Sequence, residues 1–548
     1  MRPPALRNGM NTRISENTLR VCNRFAAYRL GSRRKDGSVT GAPLADFLTG
    51  NASAFLQGNT GTWYDTYPYF GAYVQDSWKV KPRFTLNYGL RFEPFFPLSA
   101  KAGTFTHFDQ TLFNEGVHST VYPSGPAGLI VPGDPQYTIG NHPEGSKIDR
   151  FAPRVGLAWD PLGDGKTTIR ASYGMFMDHA YIQEYTGFAT NPPIGNNISL
   201  TNVNLTNPWA NYPGGNPFPL ATGKNLVFGQ SGTYLTSTFK FQPPYMNQWN
   251  LSVQRQIGSD WLVTANYIGN NTIHLQSAQQ LNPAVFLGLG PCTLPSGVTY
   301  STCSTTANTN QRRMLSLINP VQGAYYGPLA TVDDGGTVTY DGLYLSAQKR
   351  LSRGVTVLFN YTWSHCISDY FESQLLSGAA VSPPENRRGF RSNCPTSDQR
   401  QVANATVVAQ TPAFSNRVLR MIAGGWQISP KLQLRSAQLF TISTGVDNAL
   451  SGQGTQVPNQ VLTNIYPSQQ GPSSWILRSA FASPAPGTYG DLGYNVAKGP
   501  GFFQLDMAIV RTFRVTEKTT LQLRGEAFNL PNWVNFSPPG RHHYGCAE

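Results

Sequence analysis

The chain has 548 residues, of which only 13% are charged and 12% are aromatic, with a mean hydropathy of −0.31. That charge share is about half of what a soluble domain carries, yet no apolar run reaches the roughly 18 residues a membrane helix needs. The net charge of +13 would suit a nucleic-acid binder, but its cations are dispersed, so no nucleic-acid partner is expected and attraction to anionic lipid head groups accounts for it.

Residues 1–40 are polar and aperiodic, and disorder is expected there. The opening MRPPALRNGMNTRISENTLR holds no apolar signal-peptide core. A short apolar patch follows at Ala45, Phe47 and Leu48. From residue 69 the chain falls into pairs of alternating segments. Residues 69–78 lead through the turn residues Lys79-Val80-Lys81-Pro82 to a second arm. There Phe84, Leu86, Tyr88, Leu90 and Phe92 alternate with Thr85, Asn87, Gly89, Arg91 and Glu93. A period of two puts these sets on opposite faces of a strand.

The plan repeats. Residues 154–160 and 167–177 flank Pro161-Leu162-Gly163-Asp164-Gly165, and 247–257 and 261–269 flank Gly258-Ser259-Asp260. The clearest pair is 341–351 and 355–365, joined at Ser352-Arg353-Gly354, with Lys349 and Leu358 as its two exceptions to alternation. Residues 401–410 and 425–436 form a fifth pair, and 503–511 and 519–528 a sixth. Each arm of the 341–365 pair is about ten residues, enough for a tilted strand to cross a bilayer. Connections are mostly short within pairs and roughly 35–75 residues between them, against about four to six in ordinary domains. Residues 41–536 therefore predict an all-β fold, an antiparallel transmembrane β-barrel of the outer-membrane type, with short periplasmic turns and long extracellular loops. Residues 537–548 read as a polar tail.

Trp78, Trp159 and Trp261 all stand beside short turns, which predicts a periplasmic aromatic girdle. The alternative, that aromatics merely favour strands, predicts no clustering at strand ends. Arg91, Arg170, Arg524 and Glu526 fall on polar strand faces, as lumen-lining residues or as inter-strand ion pairs. None of the six cysteines forms a C-x-x-C pair. Cys292 with Cys303, and Cys366 with Cys394, are candidate loop disulfides in an oxidising compartment, with free thiols as the alternative.

No catalytic motif stands out, and no enzyme activity or cofactor is expected. Gly165-Lys166-Thr167 resembles the end of a P-loop, but Asp160 occupies the position of its leading glycine. Asp333-Asp334-Gly335-Gly336 lacks calcium-loop spacing and reads as a turn. His542, His543 and Cys546 read as part of the polar tail rather than as metal ligands.

At its hairpins the sequence resembles the barrel of TonB-dependent outer-membrane receptors, in particular the Oar-like group. The matching stretches are YVQDSWKVKPRFTLNYGLRFEP, FAPRVGLAWDPLGDGKTTIRASYGMF, NQWNLSVQRQIGSDWLVTANYIG, YDGLYLSAQKRLSRGVTVLFNYTWSH and GPGFFQLDMAIVRTF with LQLRGEAFNLPNWVNF. The ordered series carries the resemblance, since no single stretch is specific. It implies a signal peptide, a carboxypeptidase-regulatory-like sandwich, a plug and a 22-stranded barrel. Only barrel sequence is legible here, so an incomplete barrel is expected, with TonB contact made through a plug outside this chain. The functions expected are uptake or surface binding of an unidentified substrate, in contact with outer-membrane lipid and lipopolysaccharide. The alternatives are an adhesin or structural surface protein, and a secreted β-solenoid; the irregular hairpin spacing speaks against the solenoid.

Overall fold

The computed structural model describes residues 7–11, 19–21, 48–59, 63–179, 185–218, 226–369, 386, 388–389, 391–394, 398–454, 456–472 and 474–539. The disorder expected for residues 1–40 lies mostly outside this set; the two described pieces, Arg7–Asn11 and Leu19–Val21, are strands. Most of the expected polar tail, from residue 540, also lies outside it.

Twelve strands carry the fold. They are β1 Gly71–Lys81, β2 Phe84–Phe92, β3 Phe151–Trp159, β4 Thr167–Met177, β5 Tyr245–Ile257 and β6 Trp261–Gln280. Then follow β7 Tyr326–Ser352, β8 Val355–Ser368, β9 Gln401–Gln410, β10 Trp426–Arg435, β11 Phe502–Arg514 and β12 Thr520–Ala527. Each pairs antiparallel with the next in chain order. Arg7–Asn11 adds itself to the outer edge of β1. Among the described residues no register joins β12 to β1. The β1–β2 turn is tighter than the sequence reading, because β1 runs on through Lys79 and Lys81 with a bulge between them. The β7–β8 turn places Arg353 at φ 48° and Gly354 at φ 77°. Two successive positive φ values suit a two-residue hairpin, whose twist matches that of the strands.

The registers carry one apolar face through the sheet. Ile169 lies beside Val253, and the row continues through Ala265, Leu345, Tyr361, Ala403 and Leu434 to Phe503. The neighbouring row, on the other face, is Arg170, Ser252, Asn266, Tyr344, Thr362, Val402, Arg435 and Phe502. The exposed large apolar side chains on the strands belong mostly to the first face, among them Leu90, Val155, Leu251, Val253, Leu345, Ile428 and Ile509. In a water-soluble fold such a face would be covered; facing acyl chains it is at home.

The polar exceptions on this face are tied down. The Tyr88 hydroxyl donates to Asp76 Oδ2 at 3.1 Å, and Tyr267 donates to Asp341 Oδ1 at 2.6 Å. Lys349 reaches the β7–β8 turn, where Nζ donates to the carbonyls of Ser352 (2.9 Å) and Val355 (3.0 Å). A long stem on apolar surface with its charge at the turn is how lysine tolerates such a position.

Buried apolar clusters lie almost wholly in the long connections and in the strand extensions they cover. β7 has 27 residues, far beyond the roughly ten that a bilayer needs. Its first part pairs in parallel with Gly232–Ser237 and antiparallel with the end of β6. There Trp63, Leu98, Phe105, Tyr185, Phe188 and Phe241 close one core, and Phe108, Phe113, Tyr234 and Tyr326 another. A third, around Phe440, Val457, Ile476 and Tyr494, lies within the β10–β11 connection. The turn expected at Asp333-Asp334-Gly335-Gly336 is corrected: these residues lie inside β7, where a bulged register pairs Asp333 with Ser277 and Gly336 with Leu275. The partner strand supplies hydrogen bonds that local turn propensity could not foresee.

Leu251 lies six residues from the turn, mid-way across the apolar face, and Gln254 points to the other face. Leu251→Arg should cost about 2–4 kcal/mol in lipid, while Gln254→Arg costs little. Denaturant unfolding in vesicles measures both, and equal costs would contradict the assignment of faces.

Candidate functional site: the polar face and its mouth

The polar face ends at a cluster built from strand ends. Tyr67 and Tyr69 precede β1, Arg91 and Glu93 close β2, Arg150 precedes β3, and His179 follows β4. Antiparallel pairing brings these four ends to one level, and Glu93 N donates to Arg150 O at 3.0 Å. Arg91 grips Glu93 through Nε at 2.8 Å and Nη2 at 3.2 Å, and the Tyr69 hydroxyl bonds to both residues. A Cβ at Gly71 would lie 2.7 Å from Arg91 Nη2, so a side chain there would push the guanidinium aside. Arg150 is buried and donates to the carbonyls of Asp178 (3.0 Å) and Pro244 (2.7 Å). His179 is hydrogen-bonded to Tyr67 and ringed by Tyr67, Tyr69 and Phe95. Burial, and next the charge of Arg150, hold its imidazole below the usual histidine range, so it is neutral near pH 7.

Behind this cluster, Glu144 is buried in the aromatic core with Oε2 accepting from the Tyr185 hydroxyl at 2.9 Å. Its Oε1 has no hydrogen-bond partner among the described residues. Burial pushes its carboxyl up to about 8. Further along the polar face, Arg154 stacks on Phe176 at 4.4 Å and Arg435 on Phe502 at 5.2 Å. Near the turns, Gln427, Ser429, Thr512, Gln522 and Arg524 line a polar recess of about 400 Å³.

The residues singled out from sequence do not form one site. Arg91 is in the mouth cluster. Arg170 is exposed mid-face, beside Ser252 and Ala158 in register. Arg524 pairs with Glu526, two residues along the edge strand β12. Trp78, Trp159 and Trp261 stand at the turn end on the apolar face, 49%, 43% and 38% exposed. Cys292 is bridged to Cys303 with Cα atoms 5.2 Å apart, and Cys366 to Cys394 at 5.3 Å. His542, His543 and Cys546 lie outside the described residues. Sequence reasoning missed Tyr69, Arg150, His179 and Glu144. The one local signal was Arg91-x-Glu93, opposite charges on one strand face.

Over residues 6–545 the chain matches the family described as outer membrane beta barrel domain. The chain belongs to that family. Its place is the outer membrane. No curated protein matches it. Solved structures similar to it include the FrpB iron transporter from Neisseria meningitidis (F3-3 variant), at 10% identity and TM-score 0.37, covering 88% of this chain and 43% of that one. The copper transporter OprC shares 11% identity at TM-score 0.36, covering 86% of this chain and 44% of its own. The ferric-catecholate import receptor Fiu from K12 E. coli shares 12% at TM-score 0.35, covering 86% and 42%. This chain thus spans less than half the length of each.

Two outcomes test the buried Glu144 carboxyl and the two bridges. Glu144 releases its proton near 4.5 when unfolded but only at about 8 when folded, so the unfolded state binds fewer protons in between. Its contribution is full below pH 4.5 and is lost as pH rises to 8. Asp65, pushed up to about 6 by burial, acts with the same sign lower down. Glu144→Gln should flatten the fall in stability above pH 6, read by thermal unfolding; an unchanged slope would remove Glu144 from the account. Thiol labelling without reductant should leave Cys292, Cys303, Cys366 and Cys394 unmodified, and breaking either bridge should cost about 2–4 kcal/mol.

Proposed function

We propose that the chain is the barrel portion of an outer-membrane TonB-dependent receptor that takes up or binds a polar, anionic solute. The observation that carries this is the continuous antiparallel ladder, whose registers give twelve strands one lipid-facing side and one polar side. On the polar side Arg91, Arg154, Arg170, Lys431, Arg435 and Arg524 outnumber Glu93, Asp506 and Glu526. A surface with an excess of one sign inside low-dielectric walls concentrates solutes of the other.

In this reading Arg91, Arg170, Arg524 and Glu526 line the lumen. Trp78, Trp159 and Trp261 form the periplasmic girdle, supported by their outward exposure at the turn end. Lipid and lipopolysaccharide surround the barrel, TonB acts through a plug, and the chain has no catalytic role or cofactor. A second reading, a surface adhesin without transport, is favoured by the connections, which fold on cores of their own, hold the Cys292–Cys303 bridge and are tied to the end of β8 by Cys366–Cys394.

Cells carrying or lacking the gene distinguish the two. The receptor reading expects at least one solute to be depleted from the medium only by carriers, and a protonophore to stop this. The adhesin reading expects no such depletion but loss of surface attachment in the deletion strain. Depletion that persists in the deletion strain would count against the receptor.

A further inference from the structure

The β9–β10 connection differs from the other short turns in holding a helix, Arg417–Ala423, capped by Asn416 Oδ1, which accepts from Val418 N (2.8 Å) and Leu419 N (3.2 Å). Val418, Leu419, Met421 and Ile422 are 58%, 50%, 67% and 60% exposed. At about 100° per residue these four share one arc of roughly 160°, with Arg420 opposite its centre and Arg417 at its edge beside Met421.

Two outward side chains fix where the helix sits. Arg511 and Trp426 are register partners on the apolar face. Arg511 donates to Met421 O, and Trp426 Nε1–H donates to Ile422 O at 2.9 Å. Arg511 also stacks on Trp426 at 5.1 Å and on Phe513 at 4.5 Å. The C-terminal end of the helix is therefore held to the lipid side of the sheet and at the turn end, where the apolar face stops.

We infer that the helix Arg417–Ala423 is a membrane-surface anchor in the head-group boundary of the periplasmic leaflet. Its apolar arc enters the acyl chains as a continuation of the lipid-facing belt; Arg417 at its edge reaches the lipid phosphates, and beside it Arg420 presents its charge while Nε and Nη2 donate to the carbonyls of Phe414 (3.0 Å) and Ser415 (3.1 Å). Amphipathic helices lie in this way, with the apolar face about 5–10 Å into the boundary and cations on the polar face. The partner is the bilayer surface itself. A second copy of the chain, or a periplasmic protein, would need the arc to be covered by protein.

Nitroxide labels placed one at a time at Arg417, Met421 and Ile422 test this in the full-length protein. Cys22 and Cys546 are replaced by Ser, and the vesicles are of phosphatidylethanolamine and phosphatidylglycerol. The labels at 421 and 422 should collide several-fold more with oxygen than with a nickel chelate, and the label at 417 the reverse. Dominance of the nickel chelate at all three would overturn the anchor. Exclusion of both reagents from 421 and 422 would overturn it too, because it marks a protein partner. A label-free arm uses trypsin, which should spare Arg417 and Arg420 in the wild type and cut there in the Met421→Gln/Ile422→Gln variant. Equal cleavage of the two proteins would sink the proposal.

Discussion

The structure depends on the main-chain hydrogen bonds between neighbouring strands. Inside a bilayer no water replaces a missing partner, and each unsatisfied N–H or C=O costs several kcal/mol. A chain that crosses with strands must pair each with its neighbours along the full crossing. Here the ladder does so for each of the eleven steps from β1 to β12, in chain order. Sequential antiparallel pairing also explains the connections: one end takes short turns, and length accumulates at the other.

Once the ladder is set, side-chain parity follows. One slip of register would move Leu345 and Tyr361 off the face shared with Val253 and bring polar Ser346 and Asn360 to lipid. The usual arrangement is inverted: strands expose their large apolar residues, while the buried cores lie in the connections. Water surrounds those connections, so they collapse on Trp63, Phe105 and Tyr326 as a soluble domain would. Polar groups follow the same division. On the outer face Asp76, Asp341 and Lys349 each have a hydrogen-bond partner, and at the mouth Arg91, Glu93 and Tyr69 satisfy one another.

The mouth cluster and the periplasmic helix both arise where strands end. Arg150, His179, Glu93 and Tyr69 come from four separate strand ends that the ladder brings together. Arg511 and Trp426 stand 85 residues apart in sequence but are adjacent in register, and together they hold the helix Arg417–Ala423 on the outer side.

Alternation alone determined the twelve strands, their pairing within six hairpins and their two faces, because a period of two is local and each hairpin contains its own turn. Phe84 to Phe92 is apolar-facing whatever the remote chain does. Sequence also placed Trp78, Trp159 and Trp261 beside turns. Only the tertiary structure decided what lies in the connections. Tyr185 meets Glu144 across 41 residues, and Asp333 leaves an apparent turn for a strand because Ser277 pairs with it. Those contacts arise from burial between distant segments, which leaves no periodic trace along the chain. Strand parity is a property of neighbours in sequence, whereas a buried core is a property of neighbours in space.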